Sequence, residues 1–258
     1  MSAPFVTMRA ITKTFGAVRA LRRVDLEVAH GEIVGLVGDN AAGKSTLMKI
    51  LTGVYSADSG EVLIDGTLAR LASPMAARAA GIEMVYQDFA LVPELSVAQN
   101  IFLGREITRD RLGFRFLDKQ TMAQQANDLL GRLGLSIPPV DTPVRTLSGG
   151  QQQAVAVARA TAFDAKLVIM DEPTANLGAT AIAKVRETIS RLKAHGVAVI
   201  IISHRLEDVF TTADRVVVMK HGQIVGSRAV AETLADEIVH MIVAGTDPDR
   251  PEQPHASA

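Results

Sequence analysis

The stretch "EIVGLVGDNAAGKSTLMKILTG", residues 32–53, decides the fold of this chain. It starts with an apolar run typical of a buried strand and continues into a helical pattern. Between the two, Gly38, Gly43, Lys44 and Ser45 satisfy the G-x-x-x-x-G-K-[ST] pattern. Glycines let the backbone approach a phosphate closely, and the N–H groups of a helix N-terminus concentrate positive potential there. The stretch therefore predicts a phosphate-binding loop in which Lys44 reaches the β- and γ-phosphates and Ser45 ligates Mg²⁺.

Further buried strands flank this loop along the chain. "KLVIMDEP" (Lys166–Pro173) and "VAVIIISH" (Val197–His204) are apolar on both faces, and "DRVVVMKHGQIVGS" predicts a hairpin that turns at His221–Gly222. Strands of this kind, separated by helical patterns, indicate an α/β core with a mostly parallel sheet.

Polar residues follow directly after two of these strands and after the run "EMVY" (Glu83–Tyr86). Asp171 comes at the carboxyl end of its strand, which is where ligands bind in open α/β sheets. There Asp171 can hold the magnesium shell, and the adjacent Glu172 can polarise an attacking water. His204 follows another strand and is placed to contact the γ-phosphate, and Gln87 occupies a similar strand exit. Each of these residues also has a purely structural interpretation as a polar strand end.

A second stretch has the features of an anion cradle. In "LSGGQQQ" (Leu147–Gln153), a serine and two glycines precede an apolar, helix-favouring run. That pattern presents free backbone N–H groups to an anion at a helix N-terminus. One chain thus carries two predicted phosphate cradles, and the residues alone do not say why.

The pattern between Gln87 and Ala160 is helical. We predict one domain over residues 1–245, with a helical lobe at about 88–162 inserted in the α/β core, and a disordered, proline-rich tail at 246–258. Asp118 is a predicted N-cap. The helix after it has a single apolar stripe, formed by Met122, Ala126, Leu129, Leu130 and Leu133.

Composition excludes several classes of protein. The 258 residues contain no cysteine, which excludes disulfides and thiolate metal sites. The formal net charge is −1 and no long basic run occurs, so electrostatics do not suggest binding of nucleic acid. No apolar run approaches the ~20 residues of a membrane-spanning helix, and the N-terminus lacks the apolar centre of a signal peptide. We therefore expect a soluble, cytoplasmic protein.

Taken in order, the motifs "GDNAAGKST", "YQ", "LSGGQ", "VIMDEP", "ANLG" and "SH" resemble those of an ABC-type ATPase, the nucleotide-binding subunit of an ABC transporter. The resemblance covers nearly the whole chain. It implies a P-loop NTPase core with a mostly parallel sheet, an antiparallel β subdomain and the inserted helical lobe. It also implies Mg²⁺-dependent hydrolysis of ATP that energises a membrane importer.

The resemblance accounts for the second cradle. In this family two subunits pair head to tail, so that the signature helix of one caps the ATP held by the phosphate loop of the other. A C₂ homodimer is the simplest such assembly. The residues implied to contact ATP in trans are Ser148, Gly149, Gly150 and Gln151.

The same resemblance assigns roles to further residues. Phe15 matches the aromatic residue that stacks on adenine, and Gln87 matches the glutamine that senses Mg²⁺ and the attacking water. Ser45, Gln87 and Asp171 would surround the metal, with Glu172 and His204 beside the γ-phosphate. The implied ATP-binding loop comprises Gly38, Asp39, Asn40, Ala41, Ala42, Gly43, Lys44, Ser45 and Thr46.

The implied partners are transmembrane permease subunits, on the cytoplasmic face of the inner membrane, and indirectly a solute-binding protein. The segment "DFALVPELSVAQNIFLG" either packs inside the lobe or docks on the permease. Three stretches together are similar to the monosaccharide-uptake branch (fructose/ribose-type): "AQNIFLGRE" (Ala98–Glu106), "VDTPVRTLSGGQQQAVAVARA" and the "LG" of "TANLG". The chain has the short, single-domain form, as in fructose-type importers.

Two departures from the family pattern stand out. Ala41 replaces a loop glycine, which would cost ~1 kcal/mol if its φ is positive. Gly178 replaces an aspartate that helps communication between the two ATP sites. Three alternatives stay open: import of a different small solute, a soluble ABC ATPase that acts on nucleic acid or ribosomes, and a regulatory module that holds ATP without cleaving it.

Overall fold

The computed structural model describes residues 4–111, 114–175 and 177–247. Its strands are β1 (Pro4–Phe15), β2 (Val18–Ala29), β3 (Ile33–Gly38), β4 (Ser59–Ile64), β5 (Thr67–Leu68), β6 (Ile82–Val85), β7 (Thr108–Arg111), β8 (Phe114–Leu117), β9 (Leu167–Asp171), β10 (Ala198–Ile202), β11 (Arg215–Lys220) and β12 (Gln223–Ala229). Its α-helices are α1 (Lys44–Leu51), α2 (Pro74–Ala79), α3 (Val97–Ile101), α4 (Lys119–Arg132), α5 (Gly149–Thr161), α6 (Ala179–Ala194), α7 (Leu206–Thr212) and α8 (Ala235–Ala244).

The central sheet has six strands in the order β12-β11-β3-β10-β9-β6. All neighbouring pairs are parallel except β11 and β12, which form the predicted hairpin. The apolar runs of β3, β9 and β10 are buried on both faces because α5 and α6 pack on one side of the sheet and α1 with strands β1 and β2 on the other. The parallel register aligns the carboxyl ends of these strands, so the predicted α/β core is confirmed, and its strand exits share one edge.

A second, antiparallel sheet packs over this core in the order β2-β1-β4-β5. The side chains of β1 and β2 that face inward form an apolar cluster with α1 and the central sheet. Phe5 and Met8 of β1 are fully buried there, as are Leu36 of β3 and Leu47 of α1. The expected antiparallel β subdomain is therefore present.

Helices dominate the chain between β6 and β9. Asp118 caps α4 as predicted, since its carboxylate accepts a hydrogen bond of 3.1 Å from the Thr121 backbone N–H. The predicted stripe is buried at every position: Met122, Ala126, Leu129, Leu130 and Leu133.

The β7–β8 hairpin within this region was not expected. Its described side chains are exposed on both strands, so the segment lacks the alternation of buried and exposed residues that identifies a strand in a sequence.

The last described element is α8, which ends at Gly245 in a left-handed conformation. Asp247 follows and accepts a hydrogen bond of 3.2 Å from the Arg228 guanidinium. The predicted disordered tail, 246–258, lies outside the described residues from position 248 onward.

Candidate functional site: a phosphate loop facing two carboxylates

The loop between β3 and α1 has the backbone of a close phosphate cradle. Gly38 and Gly43 have φ values of 147° and 104°, and a Cβ at Gly38 would lie only 2.1 Å from the Met219 carbonyl oxygen. Ala41 has a φ of 67°, so it adopts the left-handed conformation that a glycine at this position would adopt without strain. Asp39, Asn40 and Ala41 are exposed, whereas Ala42 is buried.

Helix α1 begins at Lys44, which puts the lysine, Ser45 and Thr46 in its first turn. The Lys44 ammonium folds back and donates to the carbonyl oxygens of Gly38 at 2.6 Å and Asp39 at 2.9 Å. Burial lowers the pKa of Lys44, although three acidic residues act in the opposite direction. Those three are Glu172, Asp39 and Asp171.

Asp171 and Glu172 stand at the carboxyl end of β9, beside this lysine. Burial, and then the charge of Glu172, raises the pKa of Asp171. Glu172 has a left-handed φ of 49°, and its backbone N–H donates to the Ile202 carbonyl oxygen at 2.9 Å. The strained residue is thus fixed by the neighbouring strand β10.

His204 contacts the Glu172 carboxylate. Its backbone N–H donates to Oε1 at 3.1 Å, and its Nδ1 lies 2.9 Å from Oε2. The Nδ1–Oε2 separation is short enough for an ion pair, but the geometry does not make a hydrogen bond. Within the described residues, no other donor reaches Oε2. The Glu172 side chain is 16% exposed and the His204 ring 69% exposed. A buried carboxylate oxygen is therefore left without a hydrogen bond, with an exposed imidazole beside it.

Gln87 lies after β6, the strand next to β9, and its side chain is exposed. The turn that contains it is tied to α5 by Arg159, which the sequence did not single out. The Arg159 guanidinium donates to the carbonyl oxygens of Ala90 at 2.6 Å and Phe89 at 2.8 Å. These two hydrogen bonds therefore link the turn that contains Gln87 to the signature helix α5.

The signature helix α5 begins with a reciprocal capping box. The Gln151 backbone N–H donates to Ser148 Oγ at 3.4 Å, and the Ser148 backbone N–H donates to Gln151 Oε1 at 2.9 Å. Ser148 and Gly149 are exposed, and Gly150 is half-buried. Helix α5 packs mainly on α3, α6 and β6, whereas α1 packs on β2 and β3. The phosphate loop and the signature helix of one chain are thus attached to helices that pack against different elements.

Phe15, at the end of β1, is 42% exposed and meets Tyr55 edge-on, with 5.2 Å between the ring centroids. A large part of its ring surface is therefore open to a planar ligand.

Two further residues, Lys220 and Asp208, position elements of the site through side-chain contacts, and no sequence motif marks either of them. Lys220 of β11 forms an ion pair of 2.7 Å with Asp39 of the phosphate loop. The buried Asp208 accepts hydrogen bonds from Thr174 at 2.5 Å and from Arg186 at 2.8 Å. These bonds fix the turn that follows Glu172 against helices α6 and α7.

The comparisons with known proteins agree with this geometry. A family model described as "ABC transporter" matches residues 21–175. The chain belongs to the ABC transporter family.

Two relatives are sugar-import proteins by name. The chain is 45% identical to a ribose import ATP-binding protein of Chromobacterium violaceum over 95% of its own length and 48% of that protein. It therefore spans about half the length of this relative. It is 44% identical to a xylose/arabinose import ATP-binding protein of Sulfolobus acidocaldarius, over 92% of the chain and 93% of that protein.

Solved structures confirm the expected fold of this ABC family member. An ATP-binding cassette of an ABC transporter superposes with a TM-score of 0.81 at 28% identity, covering 94% of this chain and 98% of that one. A post-hydrolysis dimer of another cassette, bound to ADP and phosphate, gives a TM-score of 0.72 at 25% identity, over 87% and 98% of the two chains. Among the residues that the structure describes, no helix has the length and apolarity to cross a membrane.

Proposed function

We propose that this chain binds and hydrolyses ATP to energise a membrane importer for a monosaccharide. The observation that carries the proposal is the half-buried Lys44 in a phosphate loop, facing the adjacent carboxylates Asp171 and Glu172. A lysine there suits the charge of a triphosphate, and a carboxylate with an unpaired oxygen suits the polarisation of water. The named sugar-import relatives support the cargo class, and a fructose-type cargo remains a prediction.

Mg²⁺ fits the oxygen donors beside the loop. Proteins commonly bind this ion through one or two carboxylates together with substrate phosphates, and the Asp171 carboxylate and Ser45 hydroxyl are donors of the right chemistry. Gln87 would complete the set from the neighbouring strand exit. Bound with ATP, the ion would neutralise phosphate charge. The described residues include no cluster of three or more histidine, aspartate or glutamate residues that would hold a metal unaided.

The remaining site residues divide into four roles. Phe15 would stack on adenine, and residues 38–46 would enclose the phosphates. Glu172 would act as general base through Oε2, with His204 positioned to contact the γ-phosphate. The loop residues are Gly38, Asp39, Asn40, Ala41, Ala42, Gly43, Lys44, Ser45 and Thr46.

Completion of the site would require a second copy in head-to-tail orientation. Residues 148–151 of one copy would then meet the ATP held by the other. The separate packing of α5 and α1 supports this arrangement, as does the dimeric cassette of similar fold. We assign the ATPase domain to residues 1–245, with the helical lobe at about 88–162 inserted in it. Permease subunits at the cytoplasmic face of the inner membrane, served by a solute-binding protein, would complete the importer.

The variant Glu172→Gln tests this function. It keeps the size of the side chain but removes the base, so we expect phosphate release to fall by about 10²–10⁴-fold while ATP binding is retained. An ATP-bound dimer should accumulate and be visible by size-exclusion chromatography. Glu61→Gln, an exposed site in the antiparallel sheet, is the matched control and should hydrolyse ATP normally. Unimpaired phosphate release by Glu172→Gln, with permease vesicles included, would refute the assignment.

A further inference from the structure

The β7–β8 hairpin is a part of the described surface to which the proposed function assigns no role. Its two strands have four residues each and pair only with one another. An isolated two-stranded hairpin is marginally stable in water, because little apolar surface is removed from solvent. Within the described part of the chain, no third strand extends this ribbon.

Large apolar side chains of the hairpin are open to solvent. Phe114 is 69% exposed, Phe116 is 50% exposed and Leu117 is 46% exposed. Phe114 and Phe116 lie two positions apart on one strand and share a face, so they form a patch, whereas Leu117 lies on the other face. The patch is rich in aromatic rings, which favour the boundary between water and lipid.

Positive charge accompanies these rings. The eight strand residues contain three arginines and one aspartate, in a chain whose net charge is −1. The register pairs Arg109 with Phe116 and Asp110 with Arg115. Paired residues of a two-stranded ribbon share a face, so Arg109 lies on the side of the phenylalanines, whereas Asp110 and Arg115 lie on the other. Arg109 forms no ion pair within the described residues, although its charge helps to lower the pKa of Asp118.

A surface that combines arginine with exposed phenylalanine is complementary to one chemical partner in particular. Anionic phospholipid headgroups attract the guanidinium groups, and the adjoining acyl boundary accepts the rings. A small-molecule ligand would need a groove or pocket beside the rings. Of two cavities near the helical region among the described residues, one is lined mainly by residues 133–136 together with α5 and α6, the other mainly by α3 and α4, and neither includes a residue of β7 or β8.

We propose that the β7–β8 hairpin is a membrane-surface contact that binds anionic phospholipid through Arg109 and inserts Phe114 and Phe116 at the headgroup–acyl boundary. The contact is separate from the ATP site and does not depend on which solute is carried. It would hold the subunit against the bilayer beside its permease.

Tryptophan fluorescence tests this contact directly, because the chain contains no tryptophan. Emission from a Phe116→Trp variant would therefore come from the hairpin alone. On addition of phosphatidylcholine–phosphatidylglycerol vesicles without permease, we expect a blue shift and protection from acrylamide. Vesicles of phosphatidylcholine alone should give a much smaller response. Met75→Trp, at a residue of α2 that is 78% exposed, is the matched control and should not shift.

Vesicle flotation of the full chain gives an independent readout. Arg109→Glu should weaken binding to the anionic vesicles by about fivefold or more, as expected for one cation at a charged surface. The double variant Phe114→Ser, Phe116→Ser should weaken it by at least about tenfold. Arg132→Glu, at an exposed arginine of α4, changes the net charge equally and should have little effect.

Two outcomes would overturn the proposal. One is an unshifted Phe116→Trp emission with anionic vesicles. The other is binding that appears only when permease subunits are present and is then lost in the hairpin variants, which would make the partner a protein. Normal ATP hydrolysis by the hairpin variants would separate either failure from a failure of the ATPase assignment.

Discussion

Replacement of Ala41 by glycine should stabilise the protein, although most alanine-to-glycine changes destabilise. Ala41 has a φ of 67°, in the left-handed region, where alanine loses ~1–2 kcal/mol relative to its preferred conformations. Glycine removes that strain but increases the entropy of the unfolded chain, which costs about 0.4–1 kcal/mol. The balance is a gain of roughly 0.5 kcal/mol in the free energy of unfolding. Ala41 is exposed, so the lost methyl group contributes no packing.

The adjacent Ala42 provides the control. It is 3% exposed and its φ is not among the positive ones, so Ala42→Gly loses a buried methyl group and gains no relief of strain. We expect it to destabilise by about 1.5 kcal/mol, which separates the two variants by about 2 kcal/mol. Urea unfolding without nucleotide measures both, as shifts of the midpoint at constant slope. Equal destabilisation by Ala41→Gly and Ala42→Gly would refute the reasoning.

Two further stability predictions concern the turn after Glu172 and the helix beyond it. Gly178→Asp should stabilise the protein by a few tenths of a kcal/mol in thermal unfolding. Gly178 is the N-cap residue of α6 and has no side chain to accept a hydrogen bond, and a Cβ there would meet no atom within 4 Å. Gly178→Ala, which adds no acceptor, should not stabilise. Asp208→Asn should cost about 2 kcal/mol, since it weakens charged hydrogen bonds to Thr174 and Arg186. Burial raises the pKa of Asp208, but the hydrogen bonds from Thr174 and Arg186 lower it by more, so the pKa lies below its usual value. The ionised carboxylate therefore stabilises the fold above the pKa of the unfolded state, and this contribution is lost as the pH falls through the lower pKa of the folded state. In urea unfolding, the gap between wild type and Asp208→Asn should therefore close below about pH 4, and a gap independent of pH would contradict this.

The parts of the fold that the sequence predicted are those with a strong local signal. The buried strands β3, β9 and β10 have short apolar runs rich in valine and isoleucine, and α4 has a regular apolar stripe behind a capping aspartate. Parallel pairing then brings their carboxyl ends to one edge, so the proximity of Lys44, Asp171 and Glu172 follows from pattern and topology.

The parts that the sequence missed depend on long-range contacts or on exposed surface. The salt bridge from Lys220 to Asp39 spans 181 positions, and no motif marks either partner. The bonds from Arg159 to the Gln87 turn are similar in kind. The β7–β8 hairpin has no buried face, so no periodicity of two identified it.

The central claim is that each ATP site is built from two copies of this chain, and complementation between inactive variants measures it most directly. Lys44→Ala disables the phosphate loop, and Ser148→Arg disables the signature helix. Each variant alone should release no phosphate above background. Random mixing makes half of the dimers mixed, each with one intact composite site, so activity should return to about a quarter of the wild-type value for independent sites. A mixture that stays as inactive as its components would contradict the account.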